Sequence, residues 1–345
     1  MGRTNAGKST LVNALVGEKV SIVSPVEQTT RNTIRGIVSD ERGQLVLLDT
    51  PGLHKAVGEL GRILNRMARR SAAGTDIVCV VFDAAQEPQL EDIGWMQRIA
   101  KERPERVVFV LNKADKAPFF ETMFRDAWKE ASDEARTGDE RQKTRMETSD
   151  VRQETSRLAS PVSGPVSSVS SPSLPVPVWV KAIASTPGGA KAVADALFEM
   201  AEEGERLFDD DIVTDYPRKL AIADSVREKF LAKLHQELPH ELGVYVKSIR
   251  EKPPRKSGAQ TLEHPTPDLP VWEIEVDLLV NRASQKPIVI GKGAQTIKYV
   301  RKCAEREVGE MFGVKAEMSL WVNVEPNWMK NKRLLTDMGY YGELV

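Results

Sequence analysis

The chain has 345 residues, more than one hydrophobic core usually holds, which points to two domains of roughly 100–200 residues each. Apolar residues make up 41% and charged residues 29%, a balance that excludes a chain disordered throughout, and the longest apolar run, residues 77–82, is far below the ~20 residues of a membrane-spanning helix. With 49 basic and 50 acidic residues, any affinity for a polyanion has to come from a local patch.

In chain order, Met1 is followed at once by Gly2-Arg3-Thr4-Asn5-Ala6-Gly7-Lys8-Ser9-Thr10, with no apolar strand before it. A helix is predicted over 11–15. Strands are predicted over 33–39 and 45–48, on either side of a turn at Glu41-Arg42-Gly43. Apolar runs at 77–82 and 107–111 alternate with helical stretches at 57–71 and 91–102, the rhythm of a parallel α/β sheet buried on both faces. From about 130 to 177 the chain is first charged and then rich in Ser, Pro and Val. It has too few large apolar side chains to offset its ordering entropy, so it is expected to be a disordered insertion. A last strand at 178–180 and a helix at 190–203 complete the first domain, 1–204, and a linker covers 205–217.

The second domain, 218–345, reads as a small α+β module. A helix at 219–237 is followed by a strand at 243–249, a Pro/Gly/Lys loop, a strand at 271–280 and a glycine turn at 291–293. A helix reaching about Met311, a strand at 317–324 and a short final helix end the chain. Cys79 and Cys303 stand far apart and offer no disulfide or zinc spacing, which fits a reducing compartment.

Gly2-x-x-x-x-Gly7-Lys8-Ser9 fits the P-loop pattern. Backbone N–H groups of Gly2, Asn5, Ala6, Gly7 and Thr10's turn would cradle phosphates, Lys8 would reach the β/γ-phosphates, and the Ser9 hydroxyl would ligate magnesium. Two further elements follow in the required order. Asp49-Thr50-Pro51-Gly52 ends a strand, where the aspartate can hold magnesium through water while the Gly52 N–H faces a γ-phosphate. Asn112-Lys113-Ala114-Asp115 ends another, and a carboxylate there can accept both N1–H and the 2-amino hydrogen of guanine, a donor pair that adenine lacks. Each motif alone could be a turn; their co-occurrence gives them weight.

On these residues the chain resembles a translation-factor-class GTPase of the Era family over nearly all of its length. The resemblance implies an α/β P-loop GTPase domain, its first strand missing from this sequence, followed by a type II KH domain. It implies GTP/GDP and Mg2+ as cofactors and slow GTP hydrolysis. Gln28-Thr29-Thr30-Arg31 is similar to the family's first switch, with Thr30 the first choice and Thr29 the second for closing on the metal. Lys8, Thr30 and Gly52 are thus the catalytic candidates, and Ser9, Thr30 and Asp49 the metal ligands. Leu53 stands where Ras-like GTPases carry the glutamine that orients the attacking water, so a slow intrinsic rate is expected; His54 reads as an exposed loop residue. For the guanine-capping loop, Val180-Lys181-Ala182 is one alignment, with the Ala182 N–H reaching O6, and Ala184-Ser185-Thr186 the other.

Gly291-Lys292-Gly293-Ala294 resembles the KH loop, normally Gly-x-x-Gly, which clamps the backbone of about four single-stranded nucleotides. Ala294 departs from the pattern. Between Gln285 and Arg333 ten Lys/Arg face five Glu, and Lys298, Arg301 and Lys302 share one helical face, a candidate phosphate footprint. Trp272, Trp321 and Trp328 are read as core residues in preference to base-stacking ones. The partners implied are small-subunit rRNA and the small ribosomal subunit, met by a monomer, with peripheral membrane contact in a bacterial setting. The alternative reading is an RNA-binding protein with a degenerate or truncated, nucleotide-binding-deficient GTPase half. The Ser/Pro-rich insertion favours a chloroplast or mitochondrial location, with bacterial-type cytoplasm or the inner membrane periphery as the alternative.

Overall fold

The structure is a computed structural model that describes the backbone of residues 1–23, 31–51, 62–64, 74–154, 173–234, 238–253 and 269–340, and the side chains of these spans apart from 138–154 and 239–240. Packing divides the chain into two compact units, one comprising Arg3–Gly74 with Gly204–Val345, the other Thr75–Glu203 with Gly2. The described residues after Gly2 and up to Gly74 therefore belong to the same unit as the C-terminal module.

In the first unit, helix α1 (Lys8–Val16) lies on an antiparallel hairpin of β1 (Ile34–Asp40) and β2 (Gly43–Asp49). The Asp40 carboxylate closes the turn by accepting from the Arg42 backbone N–H at 2.8 Å, an Asx turn. Gly36 permits the close approach of α1, since a Cβ there would meet Val16 Cγ2 at 2.8 Å. The expected linker runs beside this hairpin: the Ile37 N–H donates to Val213 O at 2.8 Å, and Gln44 Oε1 accepts from the N–H groups of Leu207 and Phe208, both at 3.0 Å.

The second unit holds a parallel sheet in the order β3 (Val78–Asp83), β4 (Val107–Asn112), β5 (Val178–Lys181). Residues 107–111 are all fully buried, as a continuous apolar run in a doubly covered strand should be. Helix α2 (Leu90–Glu102) opens with a capping box between Gln89 and Asp92, and α4 (Pro187–Met200) with Thr186 accepting from the Gly189 N–H at 3.2 Å.

Helix α3 (Glu121–Glu154) corrects the expectation of disorder from about residue 130. Phe124 and Trp128 anchor its first turns against Phe82 and Phe109 at ring separations of 5.1 Å, and a helix nucleated by packing propagates through Glu, Lys, Arg, Gln and Met at little cost. Composition alone weighed those charges and missed the anchor. Residues 173–177 are extended chain leading into β5, with Pro175 and Pro177 buried, and 155–172 lie outside the described residues.

The C-terminal module has the element order α-α-β-β-α-α-β-α, which contains the α-β-β-α-α-β expected of a type II KH domain. Helices α5 (Arg218–Leu231) and α6 (Leu238–Glu241) precede β6 (Gly243–Lys252) and β7 (Val271–Val280). After them come α7 (Lys286–Ile290), α8 (Gln295–Phe312), β8 (Lys315–Val324) and a final α9 (Lys332–Asp337). Strand β7 is central, antiparallel to β6 and parallel to β8. One face of this sheet packs Val246, Ile274, Val276, Leu278 and Val322 against Val226 and Phe230 of α5 and Val300, Ala304 and Val308 of α8. The five-residue α7, which starts at a proline turn, was not foreseen; α5 ends at Leu231, earlier than expected.

Candidate nucleotide site and nucleic-acid interface

The P-loop residues take the conformations their chemistry requires. Gly2, Asn5 and Gly7 have φ of 133°, 59° and 101°, values that glycine adopts freely and asparagine tolerates. Gly7 is the N-cap of α1 and brings no side chain to that end, so the helix N-terminus is left to an external anion. Ala6 is fully buried, and Ser9 and Thr10 are half-buried on the first turn. The Lys8 ammonium bridges the loop by donating to Arg3 O at 2.7 Å, which places a cation over the cradle.

Asp49 is 2% exposed, and neither of its carboxylate oxygens has a hydrogen-bond partner among the described residues; the Thr50 hydroxyl is likewise buried and unpartnered. A buried ionised carboxylate is costly unless a cation or its water shell meets it, so this residue fits the magnesium role assigned to it. Thr29, Thr30, Gly52, Leu53 and His54 lie outside the described residues, so the expected switch threonine and the γ-phosphate-facing Gly52 have no structural account.

In the second unit, Asn112 and Lys113 end β4 and are held from two sides. Asn112 Oδ1 accepts from the Ala184 N–H at 2.8 Å, which fixes the orientation of the amide. The Lys113 ammonium pairs with Asp83 at 2.6 Å, and Asp83 is the direct register partner of Asn112. Asp83 was not anticipated, because only the parallel register brings it to Lys113. Asp115 is exposed in the following turn, open to a base. The expected role of Ala182 is corrected: its N–H donates to Leu111 O at 3.0 Å inside the strand ladder, and its carbonyl accepts from the Ala114 N–H. That donor is engaged within the chain, as is the Ala184 N–H of the other alignment, 184–186, on Asn112.

In the KH module, Gly291 (φ 77°) leaves no room for a side chain, since a Cβ would fall 2.2 Å from Thr296 Oγ1 and 2.9 Å from the Thr296 backbone nitrogen. Lys292 and Gly293 are exposed, and Ala294 is the N-cap of α8 at φ 60°, a left-handed conformation that glycine takes without strain. Lys298, Arg301 and Lys302 are exposed along α8, and Arg301 lies 3.8 Å from Glu305. Ile288 and Tyr299, 56% and 50% exposed, flank the loop, and the Lys233 ammonium stands 4.2 Å from the Tyr299 ring centroid. Both were missed; an aromatic at 299, next to Lys298 on a polar helical face, was the available signal. Trp272 and Trp328 are buried as expected, whereas Trp321 is 61% exposed, contrary to its reading as core.

The segments on both sides of residues 24–30 are fastened to the KH elements of the same unit. The Lys19 ammonium pairs with Glu228 at 2.6 Å and Glu307 at 2.5 Å, Lys229 pairs with the same two carboxylates, and the Val23 N–H donates to Glu228 at 2.9 Å. Burial raises the Glu307 pKa, but hydrogen bonds from Lys19 and Lys229 outweigh it and hold the carboxyl below its usual range. On the other side Arg31 is 1% exposed and donates to Leu242 O at 3.1 Å, with burial pulling its pKa down. Asn32 donates to the Tyr216 hydroxyl, which donates to Asp224, both at 2.9 Å.

Residues 1–113 match the family described as 50S ribosome-binding GTPase, and residues 272–329 match the KH domain. Fold and site together define a P-loop GTPase carrying a C-terminal KH module. Among curated proteins, the GTPase Era of Caldanaerobacter subterraneus subsp. tengcongensis is 30% identical over 341 residues, spanning 99% of this chain and 95% of that protein. The GTPase Era of Geobacter sp. (strain M21) is 30% identical over 340 residues, with the same coverage. Among solved structures, an Aquifex aeolicus Era variant bound to GDP and AlF4− superposes with a TM-score of 0.72 at 26% identity, covering 98% of this chain and 96% of that one. Era in complex with MgGDPNP and nucleotides 1506–1542 of 16S ribosomal RNA superposes with the same score, identity and coverage. The chain belongs to the Era family of GTPases.

Proposed function

We propose that the chain binds GTP with magnesium, hydrolyses it slowly, and uses the nucleotide state to govern how its KH module holds small-subunit rRNA during maturation of the small ribosomal subunit. The observation that carries the reading is Asp49, a buried carboxylate at the end of β2 with no hydrogen-bond partner among the described residues. A decayed nucleotide site would have no reason to keep that cost. The relative solved with MgGDPNP and 16S rRNA supports both ligands, and the KH module weighs against a GTPase of large-subunit assembly that lacks one.

The chain's own groups divide the work. The N-terminus of α1 and Lys8 would hold the phosphates; Ser9 and Asp49 would hold the magnesium ion, which when bound offsets phosphate charge. Leu53 offers no polar group to orient water, hence the slow rate. Thr30 directly precedes the buried Arg31, so any closure of that threonine on the metal acts on a residue already bonded to the KH module. This reading includes a monomer and, in a bacterial setting, peripheral membrane contact; among the described residues no helix is long and apolar enough to cross a bilayer.

Titration of the full chain with fluorescent GDP, GTP and ATP tests it. Guanine nucleotides are expected to bind at least a hundredfold more tightly than ATP, and an oligonucleotide of the rRNA 3′ end to bind differently in the GDP and non-hydrolysable GTP states. Equal affinity for ATP and GTP, or RNA binding blind to the nucleotide, overturns it.

A further inference from the structure

The sheet of the KH module has a second face, opposite the one on which α5 and α8 pack. Because residues alternate along a strand and cross-strand partners share a face, Asp277 of β7 stands between Tyr245 of β6 and Trp321 of β8, with Glu275 and Ser319 in the next row. One part of this face is covered, since Trp328, Leu335, Ile63 and Leu64 pack there with Leu279, and Tyr245 is half-buried against the same cluster. At the margin of that cover the Trp321 indole is 61% exposed. Farther along, Glu273 and Glu317 are neutralised by Lys252 and Lys315, but no ion pair involves Asp277 or Glu275 among the described residues.

We propose that this face is a docking surface for a basic polypeptide segment, one that lays an arginine or lysine over Trp321 and against Asp277. An exposed indole attracts a cation through its ring face, and a neighbouring carboxylate adds a charge-assisted hydrogen bond. The charge complementarity selects the partner: unpaired carboxylates repel the phosphates of an RNA, so base stacking on Trp321 is disfavoured, whereas a guanidinium satisfies both groups. Strand addition at the neighbouring edge is obstructed where Glu305 accepts from the Met318 N–H at 2.9 Å. The recognition is therefore by the face, through side chains. Since the cationic loop 291–294 and α8 lie on the other side of the module, a polyanion and a polycation can be held at once.

The experiment uses the full chain and three fluorescent probes: an Arg/Lys-rich peptide, an acidic peptide of equal length, and a single-stranded RNA oligonucleotide. The basic peptide is expected to bind. Trp321→Ala and the double variant Asp277→Asn with Glu275→Gln should each weaken it about fivefold, the scale of one exposed cation–π or charge contact, with RNA affinity unchanged. The double variant is isosteric and guards against misfolding of Trp321→Ala, as does a melting curve of each. Peptide binding that ignores both variants, competition between peptide and RNA, or loss of RNA binding with Trp321 would overturn the proposal.

Discussion

The chain carries two glycine-built loops that open helices, residues 2–7 before α1 and 291–294 before α8, and they use the same backbone device for different ends. Each puts a residue of positive φ at the helix N-cap, Gly7 in one and Ala294 in the other, and neither cap brings a side-chain acceptor. The first loop is enclosed: Gly2 lies against the Val81 carbonyl, Ala6 is fully buried, and Lys8 is folded over the loop. The second is open, with Lys292 and Gly293 exposed and a row of exposed cations beyond. Walls turn a helix N-terminus into a pocket that selects one small anion. Without walls, the same N–H groups and nearby charges track the backbone of a polymer.

The enclosed loop should be the more easily broken. A Cβ on Gly2 would lie 2.2 Å from the Val81 backbone oxygen, and φ there is 133°, so Gly2→Ala must displace residue 2 from Val81. Guanine-nucleotide affinity should fall by about a hundredfold or more, about 2.7 kcal/mol, measured by fluorescent GDP titration. Affinity for RNA in the absence of nucleotide should hold. If RNA binding collapses equally, the two loops are not separable sites.

The open loop should fail gradually. Replacing Lys298, Arg301 and Lys302 with glutamine, singly and together, should weaken RNA of any sequence. Each loss should flatten the dependence of log affinity on log salt by up to about one unit, because each charge releases its own counterion. Arg301 should show the smallest loss, since Glu305 already engages part of its charge. A variant that changes sequence preference and leaves the salt slope intact would assign that side chain to base contacts instead.

The contrast between the loops also separates what the sequence disclosed from what it hid. The P-loop, Asp49, Asn112–Asp115 and the KH loop were legible because each is a short motif whose chemistry is set by neighbours in sequence. The β1–β2 hairpin was legible through its Asp-Glu-Arg-Gly turn. Features made by distant contacts were not: Asp83 reaches Lys113 only through parallel register, Ala182 loses its donor to Leu111, and α3 outlasts its charged composition because Phe124 and Trp128 pin its start. Trp321 is different, since the parity of β8 was readable. Ala316, Met318 and Val322 face the core, and an odd-numbered neighbour belongs to the other side. The fastening of Lys19 and Arg31 to KH elements had no local signal at all.

That fastening gives a smaller, pH-dependent prediction. Glu307 has a folded pKa below its usual 4.5, so its contribution to stability is present above that value and is lost as pH falls through the folded pKa. Lys229 is the converse: burial lowers its pKa, the bonds to Glu228 and Glu307 raise it more, and its contribution is lost only as pH rises above about 10.5. Glu307→Gln should therefore cost about 1 kcal/mol at neutral pH, in the range of partly exposed ion pairs, and the cost should vanish in acid well below pH 4.5. Thermal melts of both proteins across pH check it. A penalty that persists in acid would mean that the side chain acts by packing.

The smallest effect concerns the one place where the open loop departs from its glycine pattern. Ala294 is held at φ 60°, ψ 25°, where an L-residue with a Cβ is strained by roughly 1–2 kcal/mol. Ala294→Gly relieves that strain, but glycine also gains freedom in the unfolded chain, which offsets roughly 0.5–1 kcal/mol. The difference is a net stabilisation of about 0.5 kcal/mol, a rise of roughly 1–3 °C in melting temperature for a module of this size. The sign is the informative part, because the same substitution in the middle of a helix would destabilise. With the methyl gone, RNA phosphates can also approach the N-terminus of α8 more closely, so affinity should rise within about threefold, by well under 1 kcal/mol. A lower melting temperature would show instead that the Ala294 methyl makes a contact worth more than the strain it imposes.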